Sequence, residues 1–318
     1  MEINLNVRRY DPDSSKPVAF YQEYSLDVDE TTILLDSLIK VREEIDETLT
    51  LRCSCRAAIC GSCAMRVNGQ AVLACKVKVV DLLPKSGNTI TVDPVGNMPV
   101  IKDLVVEFNV FWDKIKAVKP WLQPQGEPPD AEYIASNEDM LHLAGVMGCI
   151  MCGACVSDCT VLEVDEQFLG PAALAKAYRF VADPRDDADS ARLGELNKYG
   201  GVWDCTRCMQ CVEVCPKGVD PMGRIMSLRD KAMEYGYQNT NGARHAMSFS
   251  DFVQHSGTVD ELRLPIKTYG MFNIKEMIKL IPVGIRAQLK GKRPPIFHRA
   301  IPGVENVRRI FKKVENKR

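Results

Sequence analysis

No stretch of this 318-residue chain reaches eighteen uncharged apolar residues, so the sequence offers no helix expected to cross a bilayer. Nor does it open like a secretory leader, because Met1 to Tyr10 is polar-alternating, as a strand would be. Histidine is scarce, four residues in all, and His142 lies seven positions ahead of Cys149, so no histidine is placed to ligate a haem. Cysteine is not scarce: there are thirteen. An odd count in a chain this long does not suit the disulfide framework of a small secreted domain. The expected compartment is cytosolic, where thiols stay reduced and clustered cysteines bind metal.

Eight of the cysteines form two runs of one spacing. Cys149-x2-Cys152-x2-Cys155-x3-Cys159 is followed by Cys205-x2-Cys208-x2-Cys211-x3-Cys215, and Pro216 closes the second run. Structural zinc sites separate their Cys-x2-Cys pairs rather than chaining three cysteines in this way. The runs resemble those of two-cluster bacterial ferredoxins, in which three close cysteines hold one iron–sulfur cube and the fourth crosses to the other. That resemblance implies Cys149, Cys152, Cys155 and Cys215 at one cluster, with Cys205, Cys208, Cys211 and Cys159 at another. Helices are expected around the runs at Tyr133 to Leu143, Ala172 to Val181, Ser190 to Tyr199 and Asp220 to Glu234, with a break at Asp183-Pro184-Arg185. The methionines of the last helix read as core filling.

Upstream, the pattern is that of strands. Ile3, Leu5, Val7 and Arg9 alternate with polar residues, Asp11 to Lys16 is a turn, and Phe20 to Leu26 is the returning strand. Thr32 to Val41 predicts a helix capped by Asp29 or Thr31, and Thr89 to Val92 a closing strand. Within this region stands Cys55-x4-Cys60-x2-Cys63, with Cys75 beyond eleven further residues, the plant-type pattern for a [2Fe–2S] cluster. Gly61 and the small residues around it allow the loop to wrap closely and aim N–H groups at sulfur. Asn68-Gly69 predicts the hairpin that returns the chain to Cys75. Cys53 could exchange with Cys55 as a ligand, but the spacing favours Cys55 and leaves Cys53 a spectator.

The expected fold is α+β. A β-grasp [2Fe–2S] ferredoxin domain covers 1–100, an all-helical two-cluster ferredoxin-like domain 101–238, and a basic C-terminal extension 239–318. Leu104 to Trp112 is expected to begin the helical part, and the proline-rich Pro120 to Pro129 to form a surface linker or docking loop.

The net charge of −1 conceals an asymmetry. Leu262 to Arg318 holds 15 Lys and Arg against 3 Asp and Glu, while the rest of the chain is acidic. A tail of this kind is suited to an acidic partner subunit or an anionic membrane. Met271 to Leu289 mixes apolar and basic positions as an amphipathic segment, interrupted by Pro282 and Gly284. Asn241-Gly242 predicts a turn, His245 to His255 a helix, Gly291 to Pro295 a loop and Val304 to Val314 a final helix. Aromatics are not interleaved with the charges as a base-stacking surface requires, which speaks against nucleic acid.

Over about residues 1 to 235, the chain resembles the iron–sulfur subunit of succinate dehydrogenase and fumarate reductase. The residues that carry the likeness are Cys55-Arg56-Ala57-Ala58-Ile59-Cys60-Gly61-Ser62-Cys63 and Leu73-Ala74-Cys75, then Gly170-Pro171-Ala172-Ala173-Leu174 and Tyr178-Arg179-Phe180. Asp186 to Leu193 and Cys215-Pro216-Lys217-Gly218 extend it. The resemblance implies an electron-transfer subunit with no catalytic residue of its own, serving a FAD-containing flavoprotein partner and a membrane-associated, quinone-reactive partner. It implies peripheral attachment to the cytoplasmic membrane, on its cytoplasmic side.

Three departures concern the third cluster. The family usually holds a [3Fe–4S] cluster there, with an apolar residue where Cys208 stands; with Cys208 present, [4Fe–4S] is expected and [3Fe–4S] is the alternative. The proline and nearby tryptophan usual after the position of Cys159 are replaced by Thr160-Val161-Leu162-Glu163-Val164, and Thr206 stands where a histidine is usual. Trp203 is a candidate to compensate. The tail is similar to the end of the small iron–sulfur subunit of heterodisulfide reductase, through a Gly-Lys-x-Pro-Pro stretch ahead of a last helix. Together these features resemble the less common class whose partner is cysteine-rich and related to heterodisulfide reductase. The alternatives are a thiol- or heterodisulfide-linked fumarate reductase-type complex and a free multi-cluster ferredoxin.

Overall fold

Alternation builds the amino-terminal sheet. In β1 (Glu2–Arg9) the side chains of Ile3, Leu5, Val7 and Arg9 are buried and those between them face out. β1 pairs antiparallel with β2 (Phe20–Asp27) and parallel with β5 (Thr89–Asp93), which in turn carries the hairpin of β3 (Ala64–Val67) and β4 (Gln70–Leu73). The order β2-β1-β5-β3-β4 is a β-grasp sheet closed over α1 (Leu34–Lys40), whose Leu34, Leu35 and Leu38 fill the core. Asn68 and Gly69 are both left-handed, as the tight hairpin turn requires. The computed structural model describes residues 1–127, 129–270, 272–292, 295 and 298–316. Within it the chain forms two units, Met1–Asp230 and Lys231–Arg318.

Two local expectations shift. The first helix begins at Leu34 rather than Thr32, because Ile33 stays extended and bridges to Lys78. Asp29 closes a turn on the Thr31 N–H (2.8 Å) instead of capping the helix. After α1 the chain continues as a π-helical turn over Val41–Ile45, and α2 (Val79–Leu82) follows the first hairpin. The helical part does not begin at Leu104. β6 (Val100–Lys102) and β7 (Val105–Val106) form a small hairpin first, and α3 (Asn109–Ala117) follows. Asp103 at the hairpin turn is buried and accepts the N–H groups of Tyr10 (3.0 Å) and Thr50 (2.8 Å), which holds the turn in place.

Asp103 also accepts from Arg9 Nε (3.0 Å), and the same guanidinium reaches Asp46 (2.5 Å), Gln22 (2.9 Å), Thr48 (2.8 Å) and the Tyr24 hydroxyl. Burial opposes the charge on Arg9, but the hydrogen bonds it donates to Asp103 and Asp46 outweigh it and raise its pKa. A buried cation with two carboxylates and nearly every donor used is a satisfied network, and removal of one member leaves the others unpaired.

The helical half of this unit runs through α4 (Asn137–Leu141), α5 (Ala144–Met147), α6 (Ala154–Ser157), α7 (Gly170–Val181), α8 (Asp189–Leu196), α9 (Gln210–Glu213) and α10 (Pro221–Glu234). The helix expected at Tyr133 starts only at Asn137, where Ser136 accepts the Asp139 N–H (3.0 Å) as its cap. α7 is buried along most of its length and forms the spine of this half. At its end, buried Asp183 accepts from Arg179 and from Arg185 (2.8 Å to each oxygen). Asp186 takes Arg192 in a bidentate pair (3.0 and 2.8 Å), and Arg192 spends its other donors on the carbonyls of Val118, Lys119 and Trp121. The break at Asp183-Pro184-Arg185 is therefore a charged knot that ties α7 to α8 and to the chain after α3.

In the second unit, α11 (Asn241–Ser256) packs against α12 (Arg263–Tyr269) and α14 (Val304–Glu315), while α13 (Ile274–Leu289) buries no residue. Asn241-Gly242 opens α11 rather than making a turn, because the Thr240 side chain caps the helix on the Ala243 N–H (3.3 Å). Pro282 and Gly284 lie inside α13 without ending it. α12 was not legible as a helix, since Pro265 falls within it; Asp260 accepting the Arg263 N–H (2.9 Å) starts it. Pro128, Met271 and the middle of the Gly291 to Pro295 loop lie outside the described residues. No helix among the described residues is long and apolar enough to cross a membrane.

Replacing Arg9 with Leu leaves the Asp103 carboxylate buried without its cation, and is expected to cost about 3–5 kcal/mol in urea unfolding. Asp183 gives a pH signature. Burial pushes its pKa up, but the hydrogen bonds from Arg185 and Arg179 prevail and hold it at about 2. Its folded pKa is thus depressed, so its contribution is complete above about pH 4 and is lost as pH falls toward 2. Melting temperatures of Asp183→Asn and the parent are expected to differ most above that window and to converge below it.

Candidate metal centres

The first centre is a loop wound around its own thiols. Arg56, Ala58 and Gly61 all take left-handed backbone angles between Cys55 and Cys63. Turned in this way, the N–H groups of Ala57 (3.3 Å), Ile59 (3.4 Å) and Cys60 (3.3 Å) donate to Cys55 Sγ, and that of Ala58 (3.3 Å) to Cys75 Sγ. The left-handed angles cost about 1 kcal/mol at each non-glycine position, and what they yield is a nest of donors aimed at sulfur. Cys63 and Cys75 are buried and share a hydrogen bond, while Cys55 and Cys60 are exposed. Burial pushes the Cys63 thiol up to about 12, whereas the Ser62 side chain and nearby hydrogen bonds bring Cys60 down to about 6. All four predicted residues meet here; Cys53 packs against the domain core.

The two cysteine runs fold as copies of each other. In each, the third and fifth positions are left-handed (Met151 and Gly153, then Arg207 and Met209), and a four-residue helix follows at the sixth, α6 in one and α9 in the other. The fourth cysteine of each run leaves it for the other. Cys149, Cys152, Cys155 and Cys215 line one pocket with Phe111 and Ala172. Burial raises Cys152 to about 11, with Cys149 and Cys215 adding to it, and holds Cys155 well above its usual value. Cys159 lies with Cys205, Cys208 and Cys211: burial raises Cys159 and lifts Cys211 to about 12, and the other thiols of this set push the same way. Cys208 is exposed and shifts the other way; burial opposes this, but hydrogen bonds from Thr160 and the Gln210 N–H lower it.

The donor chemistry fits iron–sulfur clusters, whose usual ligands are four cysteine thiolates: each of the three sets offers four thiols and no carboxylate or imidazole in their place.

Side chains distant in sequence hold these loops, and no motif announced them. Asn97, itself left-handed, donates through Nδ2 to the carbonyls of Val156 (2.8 Å) and Cys159 (3.0 Å), and the Gly96 N–H donates to Ser157 Oγ (2.9 Å). Asp158 accepts the Ala71 N–H (2.8 Å) and pairs with Arg66 (3.3 Å), which joins the β-hairpin to the first run. On the second run, buried Arg229 donates to the carbonyls of Val202 (2.8 Å), Trp203 (3.0 Å) and Cys205 (2.7 Å), and its guanidinium lies 5.3 Å over the Trp203 ring. The Trp203 indole N–H donates to Asn197 (2.6 Å). The ring is thus fixed from both sides as part of the scaffold under Cys205.

Comparison with known proteins agrees with this geometry. Residues 4–113 match the family described as "2Fe-2S iron-sulfur cluster binding domain", and residues 145–219 match "4Fe-4S dicluster domain". The chain is 40% identical over 225 residues to the fumarate reductase iron–sulfur subunit of Mycobacterium tuberculosis, covering 70% of this chain and 90% of that one. It is 37% identical over 237 residues to the mitochondrial succinate dehydrogenase [ubiquinone] iron–sulfur subunit of Dictyostelium discoideum (71% and 81% covered). It is 38% identical over 227 residues to the succinate dehydrogenase iron–sulfur subunit of Paracoccus denitrificans (71% and 86%). A chain of the Mycobacterium smegmatis Sdh1 complex in the apo form shares the fold, with a TM-score of 0.68 at 23% identity, over 75% of this chain and 98% of that one.

Gly61 offers a test of the first loop. Its φ is +75°, and a Cβ there would stand 2.8 Å from Cys152 Cβ, whereas Gly69 at φ +85° has nothing within 4 Å. Gly61→Ala is expected to lower stability by about 2 kcal/mol or more through strain plus overpacking and to reduce iron per chain. Gly69→Ala is expected to show the strain alone, about 1 kcal/mol, with iron retained.

Proposed function

Because the chain belongs to the iron–sulfur subunits of the succinate dehydrogenase and fumarate reductase family, we propose that it carries single electrons between two partner subunits. One is a flavoprotein that holds FAD and performs the dicarboxylate chemistry; the other is membrane-associated and reacts with quinone. The observation that carries this is twelve thiols arranged as three adjoining sets of four. Gly61 of the first loop abuts Cys152 of the second set, and Cys155 of the second set lies within electrostatic reach of Cys211 in the third. Iron–sulfur clusters bound at these sets supply one-electron redox chemistry.

Cys55, Cys60, Cys63 and Cys75 would hold [2Fe–2S], and Cys149, Cys152, Cys155 and Cys215 [4Fe–4S]. Cys159, Cys205, Cys208 and Cys211 would hold the third cluster, also as [4Fe–4S]. The chain's own part is to present deprotonated sulfurs, to donate N–H groups that favour the reduced state, and to bury the sites from water. No side chain here acts as acid or base on the dicarboxylate. The four-iron assignment is supported by the proximity of Cys208 to Cys159 and Cys211, whose thiols it helps to raise.

The same end of the chain supports the less common class of these complexes, with a cysteine-rich partner related to heterodisulfide reductase and quinone bound there. Thr160 and Thr206 occupy the positions where the usual pocket has other residues, and Trp203 is committed to Asn197 and Arg229. Peripheral membrane attachment follows from that arrangement.

Electron paramagnetic resonance with iron analysis tests the third site. The parent is expected to hold about ten irons per chain and to show no oxidised three-iron spectrum. Cys208→Ala is expected to lose about one iron and gain that spectrum. A parent that already shows a three-iron spectrum with about nine irons would overturn the four-iron assignment.

A further inference from the structure

α13 has three distinct faces, and the described residues cover only one of them. At about 100° per residue, Ile274, Ile278, Ile281, Ile285 and Leu289 fall within roughly 80° of arc. Every one of these five is 53–81% exposed. The partly covered residues of the helix, Glu276, Met277, Leu280 and Ala287, centre roughly 140° away. The helix therefore does not use its most apolar row to pack against its own unit. Lys275, Lys279 and Arg286 form a basic row on the flank of the apolar one, within roughly 40° of each other, and Lys290 extends it. Glu276 is the only acidic residue in the helix and bonds to Lys279 (2.6 Å).

We propose that α13 lies in the plane of an anionic membrane surface, its isoleucine row inserted among the acyl chains and its basic row on the phosphate headgroups. Five large exposed apolar side chains on one row form a surface that water does not favour. A flanking basic row matches the chemistry of lipid phosphate, and an in-plane helix of this build needs no span-length apolar stretch. A protein groove would have to match both rows in register with an apolar floor and an acidic rim, whereas an anionic bilayer surface presents acyl chains and phosphates side by side without such matching. The inference deepens the proposed membrane-associated electron relay and rests on it only in requiring a membrane nearby.

The test is co-sedimentation of the full chain, with its clusters in place, with vesicles of phosphatidylcholine alone or with about 30% phosphatidylglycerol. Binding to the anionic vesicles is expected to be at least about tenfold tighter at low salt and to weaken as salt shortens the Debye length. Ile281→Glu with Ile285→Glu is expected to lower vesicle binding by more than about tenfold, because two charges enter the apolar row. Lys275→Gln, Lys279→Gln and Arg286→Gln together are expected to abolish the preference for anionic vesicles. Val18→Glu, at an exposed residue of the other unit, serves as a control and is expected to leave binding unchanged. Visible absorbance of the clusters reports that the first unit of each variant is folded, and far-ultraviolet circular dichroism reports the helices of the second.

Absence of sedimentation with either vesicle overturns the inference, as does binding that ignores the Ile281 and Ile285 changes. If those changes instead abolish only assembly with a partner subunit, the face belongs to a protein and the lipid assignment fails. A chain that binds vesicles as expected but cannot be reduced through a flavoprotein subunit supports this inference and removes the electron-relay proposal.

Discussion

Four thiols must converge on one place from a chain that can bring only three of them locally, and much of the structure follows from that constraint. A Cys-x2-Cys-x2-Cys stretch turns once around a site and then moves away along a short helix, α6 or α9. The fourth sulfur has to come from elsewhere. Here each run provides it to the other, so that Cys215 completes the set of Cys149, Cys152 and Cys155, and Cys159 the set of Cys205, Cys208 and Cys211. The exchange places the two sets of thiols side by side.

The loops that do this are held in unfavourable backbone shapes, and the surroundings supply the compensation. Left-handed Met151, Arg207 and Met209 cost about 1 kcal/mol each. Asn97 and Asp158 bind the first run to the β-grasp half, and Arg229 binds the second run from α10. These contacts are mostly side chain to main-chain carbonyl, which suits loops whose own N–H groups are directed at sulfur. Buried thiols raised well above their ordinary values are a consequence of the same arrangement: burial disfavours their ionisation, and bound metal would reverse that balance.

The second unit follows a different economy. α11, α12 and α14 share a small core around Ala243, Phe252 and Val304. Several of its joints are single hydrogen bonds to helix ends, such as Arg308 to the His255 carbonyl (2.7 Å) and Arg244 to the Thr268 carbonyl (2.7 Å). A unit so lightly packed carries α13 as an addition rather than a support, since no residue of that helix is buried.

Cysteine spacing, strand alternation and the Asn68-Gly69 turn were enough to make the β-grasp sheet and the two cysteine runs legible, because each is a short-range rule written in consecutive residues. The exchange of Cys159 and Cys215 came from resemblance alone, and chain geometry then displayed it. Helix starts were less legible: Ile33, Asn137 and Asn109 mark beginnings that depend on a bridge to Lys78, a serine cap and the hairpin turn at Asp103. Asn97, Asp158 and Arg229 could not be picked out at all, since an asparagine, an aspartate and an arginine are ordinary surface residues until a fold places them against particular carbonyls and amides. Likewise, the sequence by itself determined that α13 would be amphipathic and basic. Only tertiary structure decided which of its faces is covered, because periodicity fixes the angles between side chains but not the direction from which a neighbour approaches.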